Sequence, residues 1–231
     1  MSEQPLASAC AIQTAFGSWT PQAVVFDCDG LLLDTESIWQ ATQAEVIQER
    51  GAADALTAED RERLHGSTIE DAATLIATRA AAPDSEVLAQ LHEVFDRRLA
   101  SGIAPMPGAV AVVEAAAAAV PIGCASNAWL EALRGKLSAA GILQHFATLQ
   151  ASDTVAQPKP APDMYAAAVR ALGFEPSEAL AFEDSTTGAR AARAAGLRLI
   201  AVPSSLGPAP EADLVLRTLE DPVLLEWITR W

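Results

Sequence analysis

From Pro107 onward, short apolar runs alternate with helical stretches, and this alternation restricts the fold more than any other feature of the chain. The spacing predicts helices over 108–119, 129–140, 162–172 and 187–195, with strands over 121–125, 148–151, 180–182 and 197–202 between them. Leu214–Leu216 adds a last short strand before a closing helix that ends at Trp231. Strands joined through helices become parallel neighbours by right-handed crossovers, so the sheet must be mostly parallel and covered on both faces. Ala23-Val24-Val25-Phe26 reads as one more buried strand, but the pattern behind it is different. Helices alone are expected over 37–51, 58–64, 69–80 and 85–99, punctuated by Gly51, Gly66 and Pro83. The expected architecture is α/β, with residues 1–35 and 104–231 forming the sheet core. An all-helical block, 36–103, is inserted just after the first strand. The leader before Ala23 is only weakly patterned.

With 231 residues, 51% of them hydrophobic, the chain can bury one sizeable core or a medium core with a small insertion. Fifteen Lys and Arg against thirty Asp and Glu give a net charge of −15, which repels polyanions. Nucleic acid and membrane surfaces are therefore not expected partners. A phosphorylated small molecule is admissible if its site supplies local positive charge, and Lys136 and Lys159 are the two lysines of the chain. Cys10, Cys28 and Cys124 are odd in number and show no C-x-x-C spacing, which points to a reducing compartment rather than to disulfides or zinc. The first twenty residues lack the Lys or Arg of a signal peptide. The most apolar stretch, 109–125, is broken by Glu114 and Pro121 and is too short to span a bilayer. A cytoplasmic protein is expected; the oligomeric state is not legible.

Ligands of such sheets bind beyond the carboxyl ends of the strands. Four polar segments stand at those places. Asp27 and Asp29, two apart at a strand end, share a face while the backbone stays extended, and adjacent carboxylates repel unless a cation or proton intervenes. One of them suits a nucleophile or metal ligand and the other a proton donor, while a polar turn before Gly30 is the plainer alternative. Ser126-Asn127 suits anion binding at a helix start, and equally a helix N-cap. Lys159 is fixed between Pro158 and Pro160, where an ammonium would offset carboxylate repulsion and balance a phosphate. Glu183-Asp184 suits a hard cation such as magnesium, with helix capping as the competing use. Thr35 reads as the N-cap of the first inserted helix, and Cys28 as a core residue on the face opposite the two aspartates.

In combination, DCDGLLLDTE, CASN, PKPAPDMY and FEDSTTGARAARAAG closely resemble the haloacid dehalogenase-like hydrolase superfamily, over about Ala23 to Val202. The likeness is to the branch of β-phosphoglucomutases and small sugar or polyol phosphatases. It implies a Rossmann-like core and a helical cap domain at 36–103. It also implies that Asp27 attacks phosphorus and that Asp29 is the general acid and base. Mg2+ would be bound by the Asp27 carboxylate, the Asp29 carbonyl and Asp184, with Glu183 beside it or behind it. Ser126, Asn127 and Lys159 would hold the phosphoryl group. The resemblance further implies that the cap reads the organic part of the substrate, with His65 and Gly66 in the segment facing the core.

Departures from the pattern narrow the branch. Dehalogenases of the superfamily lack the second aspartate, and phosphonate hydrolases need a cap lysine that 36–103 does not contain. Where β-phosphoglucomutases carry a cap histidine and a cap arginine, this chain has Trp39 and Ile69. The expected activity is a magnesium-dependent phosphatase acting on a small phosphorylated metabolite through an aspartyl-phosphate. A sugar phosphomutase is the alternative enzyme. A receiver-like phosphate-sensing module is the non-enzymatic alternative, but receivers are shorter and lack the second aspartate.

Overall fold

The computed structural model describes residues 9–64, 67–203 and 209–231. Helix α1 (Ala9–Phe16) precedes strand β1 (Ala23–Phe26), and four helices follow: α2 (Thr35–Glu49), α3 (Ala58–Leu64), α4 (Ile69–Ala80) and α5 (Asp84–Ala100). The chain continues as α6 (Ala109–Ala119), β2 (Ile122–Ala125), α7 (Leu130–Ala139), β3 (Phe146–Gln150), α8 (Asp163–Leu172) and β4 (Ala179–Glu183). It ends with α9 (Thr186–Ala194), β5 (Arg198–Ala201), β6 (Leu214–Val215) and α10 (Pro222–Ile228). The strands form one six-stranded sheet in the order β3-β2-β1-β4-β5-β6, with every neighbouring pair parallel. The chain divides into two compact units, one comprising the residues up to Leu33 with Ala104–Trp231 and the other Asp34–Ile103.

The side-chain alternation of β1 explains where its polar end points. Ala23 and Val25 pack with Met164, Tyr165 and Ala168 of α8 and with Ala189 and Ala192 of α9. On the opposite face Phe26 stacks on Phe182 with ring centroids 5.0 Å apart and meets Phe146 edge-on at 6.3 Å. Both faces are buried, so the strand is apolar throughout instead of alternating with polar residues. One residue further, the same alternation aims Asp27 at the α8 and α9 side and Cys28 at the other. Cys28 is fully buried, and the hydrogen bond between it and Cys124, together with burial, pushes its thiol up.

In the helical unit, Val46, Ile76, Val87, Leu91 and Val94 build the centre of a separate core, with Trp39 packed against it and edge-on to Phe95 at 6.0 Å. No helix of the described residues is long and apolar enough to cross a membrane.

Three local expectations are corrected. The weakly patterned leader contains α1, which is held by tertiary contacts: Ile12 and Phe16 are buried, and the Phe16 ring stacks on Trp227 at 5.0 Å and on Trp19 at 5.9 Å. The N-cap of α2 is Asp34, whose carboxylate accepts from the Ser37 amide at 3.0 Å; Thr35 is already helical. The cap of α7 falls on Trp129 rather than on Ser126 or Asn127. An indole cannot accept the free amide, and Asp153 Oδ1 instead takes the Leu130 N–H at 2.9 Å.

Gly108 shows how tightly the core closes before α6. Its φ is +82°, and a Cβ there would stand 2.4 Å from the backbone of Leu219 and Glu220. The left-handed conformation alone costs a non-glycine residue about 1–2 kcal/mol, and a backbone wall cannot yield as a side-chain tip does. Gly108→Ala is therefore expected to lose more than about 2 kcal/mol in urea titration. A variant within about 0.5 kcal/mol of the parent, the size of a neutral surface change, would contradict the packing described.

Candidate active site

The sheet order places the ends of β2, β1 and β4 side by side. Phe26 pairs with Cys124 on one flank and with Phe182 on the other, so Asp27 emerges between the β2 end and Glu183. The Asp27 amide donates to the Phe182 carbonyl at 3.0 Å, and the Ser126 amide to the Gln150 carbonyl at 3.0 Å. All four polar segments are thus carried to one end of one sheet.

Lys159 is the centre of the buried part. It is 7% exposed, and its ammonium donates to Asp27 Oδ1 and Glu183 Oε1, each at 2.6 Å. It also donates to the Tyr165 hydroxyl at 3.3 Å, which in turn donates to Glu183 Oε1 at 2.7 Å. The second Glu183 oxygen accepts from the Asp184 amide at 3.2 Å, the Ser185 amide at 3.3 Å and the Ser185 hydroxyl at 3.1 Å. Both oxygens of Glu183 are therefore committed to the protein. Asn127 grips the Lys159 backbone from both sides: its Oδ1 accepts the Lys159 N–H at 3.0 Å and its Nδ2 donates to the Lys159 carbonyl at 3.2 Å. Head and backbone of the lysine are both fixed.

Asp29 belongs to a second cluster. Its Oδ2 accepts from the Ser126 hydroxyl at 2.8 Å, and its Oδ1 is ion-paired with the Lys136 ammonium of α7. Each of the chain's two lysines thus serves one of the two aspartates.

The charge balance of the buried cluster is negative. Burial pushes the Asp27 carboxyl well up, Lys159 opposes this, and Glu183, Asp184 and Asp29 add to it. Burial would lower the Lys159 ammonium, but Asp27 and Glu183 outweigh it and the net direction is upward, so the lysine stays charged. One ammonium shared between two carboxylates leaves Asp27 under-compensated. Asp27 Oδ2 is buried with no hydrogen-bond partner, and Asp27, Glu183 and Asp184 offer oxygens all within 4.8 Å of one another. An orphaned buried carboxylate oxygen in an all-oxygen set suits a hard cation.

Asp27, Asp29, Ser126, Asn127, Lys159, Glu183 and Asp184 all lie at this end of the sheet, in two linked clusters, whereas His65 and Gly66 lie outside the described residues. Tyr165 joins the site without a motif of its own; its sequence signal is that it is the one tyrosine of the chain and stands six residues after Lys159. Lys136 was conspicuous by rarity alone. Nothing in a helical lysine announces that it turns inward.

A haloacid dehalogenase-like hydrolase model matches residues 24–202. The fructose-1-phosphate phosphatase YqaB of Escherichia coli is 30% identical over 181 residues, which covers 78% of this chain and 95% of that protein. The crystal structure of CbbY from Rhodobacter sphaeroides in complex with phosphate has a TM-score of 0.67 at 28% identity and covers 90% of this chain and 100% of the other. A mutant of the same CbbY in complex with xylulose-(1,5)bisphosphate has a TM-score of 0.66 at 28% identity, with 87% and 95% covered. The parallel sheet, the inserted helices and the acidic end of β1 thus have one source, and this chain belongs to the haloacid dehalogenase-like hydrolases, as a phosphatase of their sugar-phosphatase branch.

Proposed function

We propose that this protein is a magnesium-dependent phosphatase of a small phosphorylated sugar or polyol, working through an aspartyl-phosphate on Asp27. The observation that carries the reading is the Asp27 carboxylate, held through Oδ1 by Lys159 while Oδ2 is buried and unpartnered beside Asp184. A carboxylate oriented through one oxygen by a fixed ammonium, with its other oxygen given no protein donor, is placed and left unsatisfied for a metal and a phosphoryl group. When a magnesium ion is bound at Asp27, Asp184 and the Asp29 carbonyl, the chemistry it supplies is neutralisation of charge on the phosphoryl oxygens. Glu183, with both oxygens committed, acts from behind the ligands by orienting Lys159. The relatives named for fructose 1-phosphate and crystallised with xylulose-(1,5)bisphosphate support a sugar phosphate as the substrate class.

In the first half-reaction an Asp27 oxygen forms a bond to phosphorus as the bond from phosphorus to the ester oxygen breaks. The leaving oxygen takes a proton from Asp29. In the second, water adds to phosphorus and gives its proton to Asp29 as the bond to Asp27 breaks. Lys159 would bring its positive charge to the oxygens of the transferring group, while the Ser126 proton stays with Asp29.

Phosphate release from a panel of sugar and polyol phosphates, with and without chelator, tests this directly. EDTA is expected to lower turnover by about 10²–10³-fold, the equivalent of several kcal/mol of lost charge stabilisation, and added magnesium to restore it. Undiminished turnover in metal-free protein would remove the metal from the reading. Interconversion of hexose 1- and 6-phosphates without net phosphate release would establish the mutase instead.

A further inference from the structure

Lys136 lies on α7, far in sequence from β1, and its side chain is only 10% exposed although α7 is a surface helix. Burying a lysine without a partner is expensive, so an inward-turned ammonium marks a specific requirement. Its partner is the Asp29 carboxylate, and the remaining Asp29 oxygen is taken by the Ser126 hydroxyl. Ser126 is itself held, since its oxygen accepts the Ala128 amide at 3.0 Å. Asp29 is 33% exposed at its side chain, so burial alone does not hold it still. Two donors from different elements, the β2 end and α7, fix where it stands.

We infer that Lys136 is a positioning residue for the reaction, holding the Asp29 carboxyl beside Ser126 so that it is already placed when water must be activated at the phosphorylated Asp27. The inference rests on the roles assigned above to Asp27 and Asp29. Lys136 touches no part of the transferring group; it acts through Asp29. Without it Asp29 keeps one anchor and samples other rotamers, and misplacement of a reacting group by about 1 Å costs on the order of 10²-fold in rate. The loss should fall on turnover rather than on substrate binding, and on the step that needs a base rather than on the departure of a good leaving group.

The test uses rapid-quench and steady-state kinetics with p-nitrophenyl phosphate on the full chain with magnesium, comparing the parent, Lys136→Met, Asp29→Ala and the double variant. Methionine keeps the apolar stem and removes the ammonium. Lys136→Met is expected to keep a burst of nitrophenol equal to the enzyme concentration and to lose about 10–100-fold in the following steady state, with KM little changed. In the Asp29→Ala background the same substitution should cost nothing further, because its route of action has gone. Equal losses in both backgrounds, or an unchanged steady state in Lys136→Met, would overturn the inference while leaving the phosphatase reading intact. A parent protein that gives neither burst nor phosphate overturns both. Should Lys136→Met fail to fold by circular dichroism, Lys136→Gln in the same cycle gives the same two readouts.

Discussion

Asp27→Asn is expected to leave a folded protein whose turnover is lower by roughly 10⁴–10⁶-fold, the scale of loss when a covalent catalytic unit loses its nucleophile or the partner that activates it. The carboxamide oxygen can still accept from Lys159, so the contact that now measures 2.6 Å has a substitute. The neutral carboxamide cannot form the acyl phosphate, and no phospho-enzyme should be trapped. Stability is expected to move the other way. Because the Asp27 carboxyl is pushed up by burial, the folded protein holds its proton more tightly than the unfolded chain does. In that window the native state binds more protons, so the stability of the metal-free parent falls as pH rises past the ordinary carboxylate range. Asparagine removes this dependence. Metal-free Asp27→Asn should therefore melt at or above the parent temperature at neutral pH, with its advantage shrinking toward acid pH. A variant that keeps even about a tenth of the activity would disqualify Asp27 as the nucleophile.

The second large effect is expected at Gly188, the third residue of α9. By helix propensity alone, glycine to alanine inside a helix gains about 1 kcal/mol. The site reverses the sign. A Cβ on Gly188 would lie 1.7 Å from Glu183 Oε1 and 2.0 Å from Glu183 Cδ, and the Glu183 side chain is fully buried. Glu183 cannot move aside without giving up Lys159, Tyr165 and the Ser185 hydroxyl together. Gly188→Ala should thus cost about 3 kcal/mol or more, as when one partner of a buried ion pair is displaced. The surviving folded fraction should turn over roughly 10²-fold more slowly because Lys159 loses its alignment. Urea titration and phosphate-release kinetics read the two effects separately. Parental stability in the variant would mean that Glu183 has another place to go.

Much of the architecture is legible in short-range pattern. The strand Ala23–Phe26, the alternation after Pro107 and the four helices between 36 and 103 each announce themselves through apolar spacing, because burial on a sheet or a helix stripe selects residues at fixed intervals. The polar segments at the strand ends follow from the same pattern, since a parallel sheet brings all its carboxyl ends to one edge.

What only the tertiary structure decided are the partners across the sheet and between elements. Helix α1 is anchored by the stack of Phe16 with Trp227, a contact more than two hundred residues away in sequence that no local window contains. Tyr165 became a site residue because the alternation of β1 and the placement of α8 turn it toward Glu183. Asn127 holds the Lys159 backbone rather than a helix start, because Asp153 takes the first free amide of α7. Lys136 is the clearest instance: by composition it is merely rare, and by helical position it could have pointed to water. Whether an ammonium turns inward depends on a carboxylate waiting at the end of another strand, and the free energy of that pairing resides in neither segment alone.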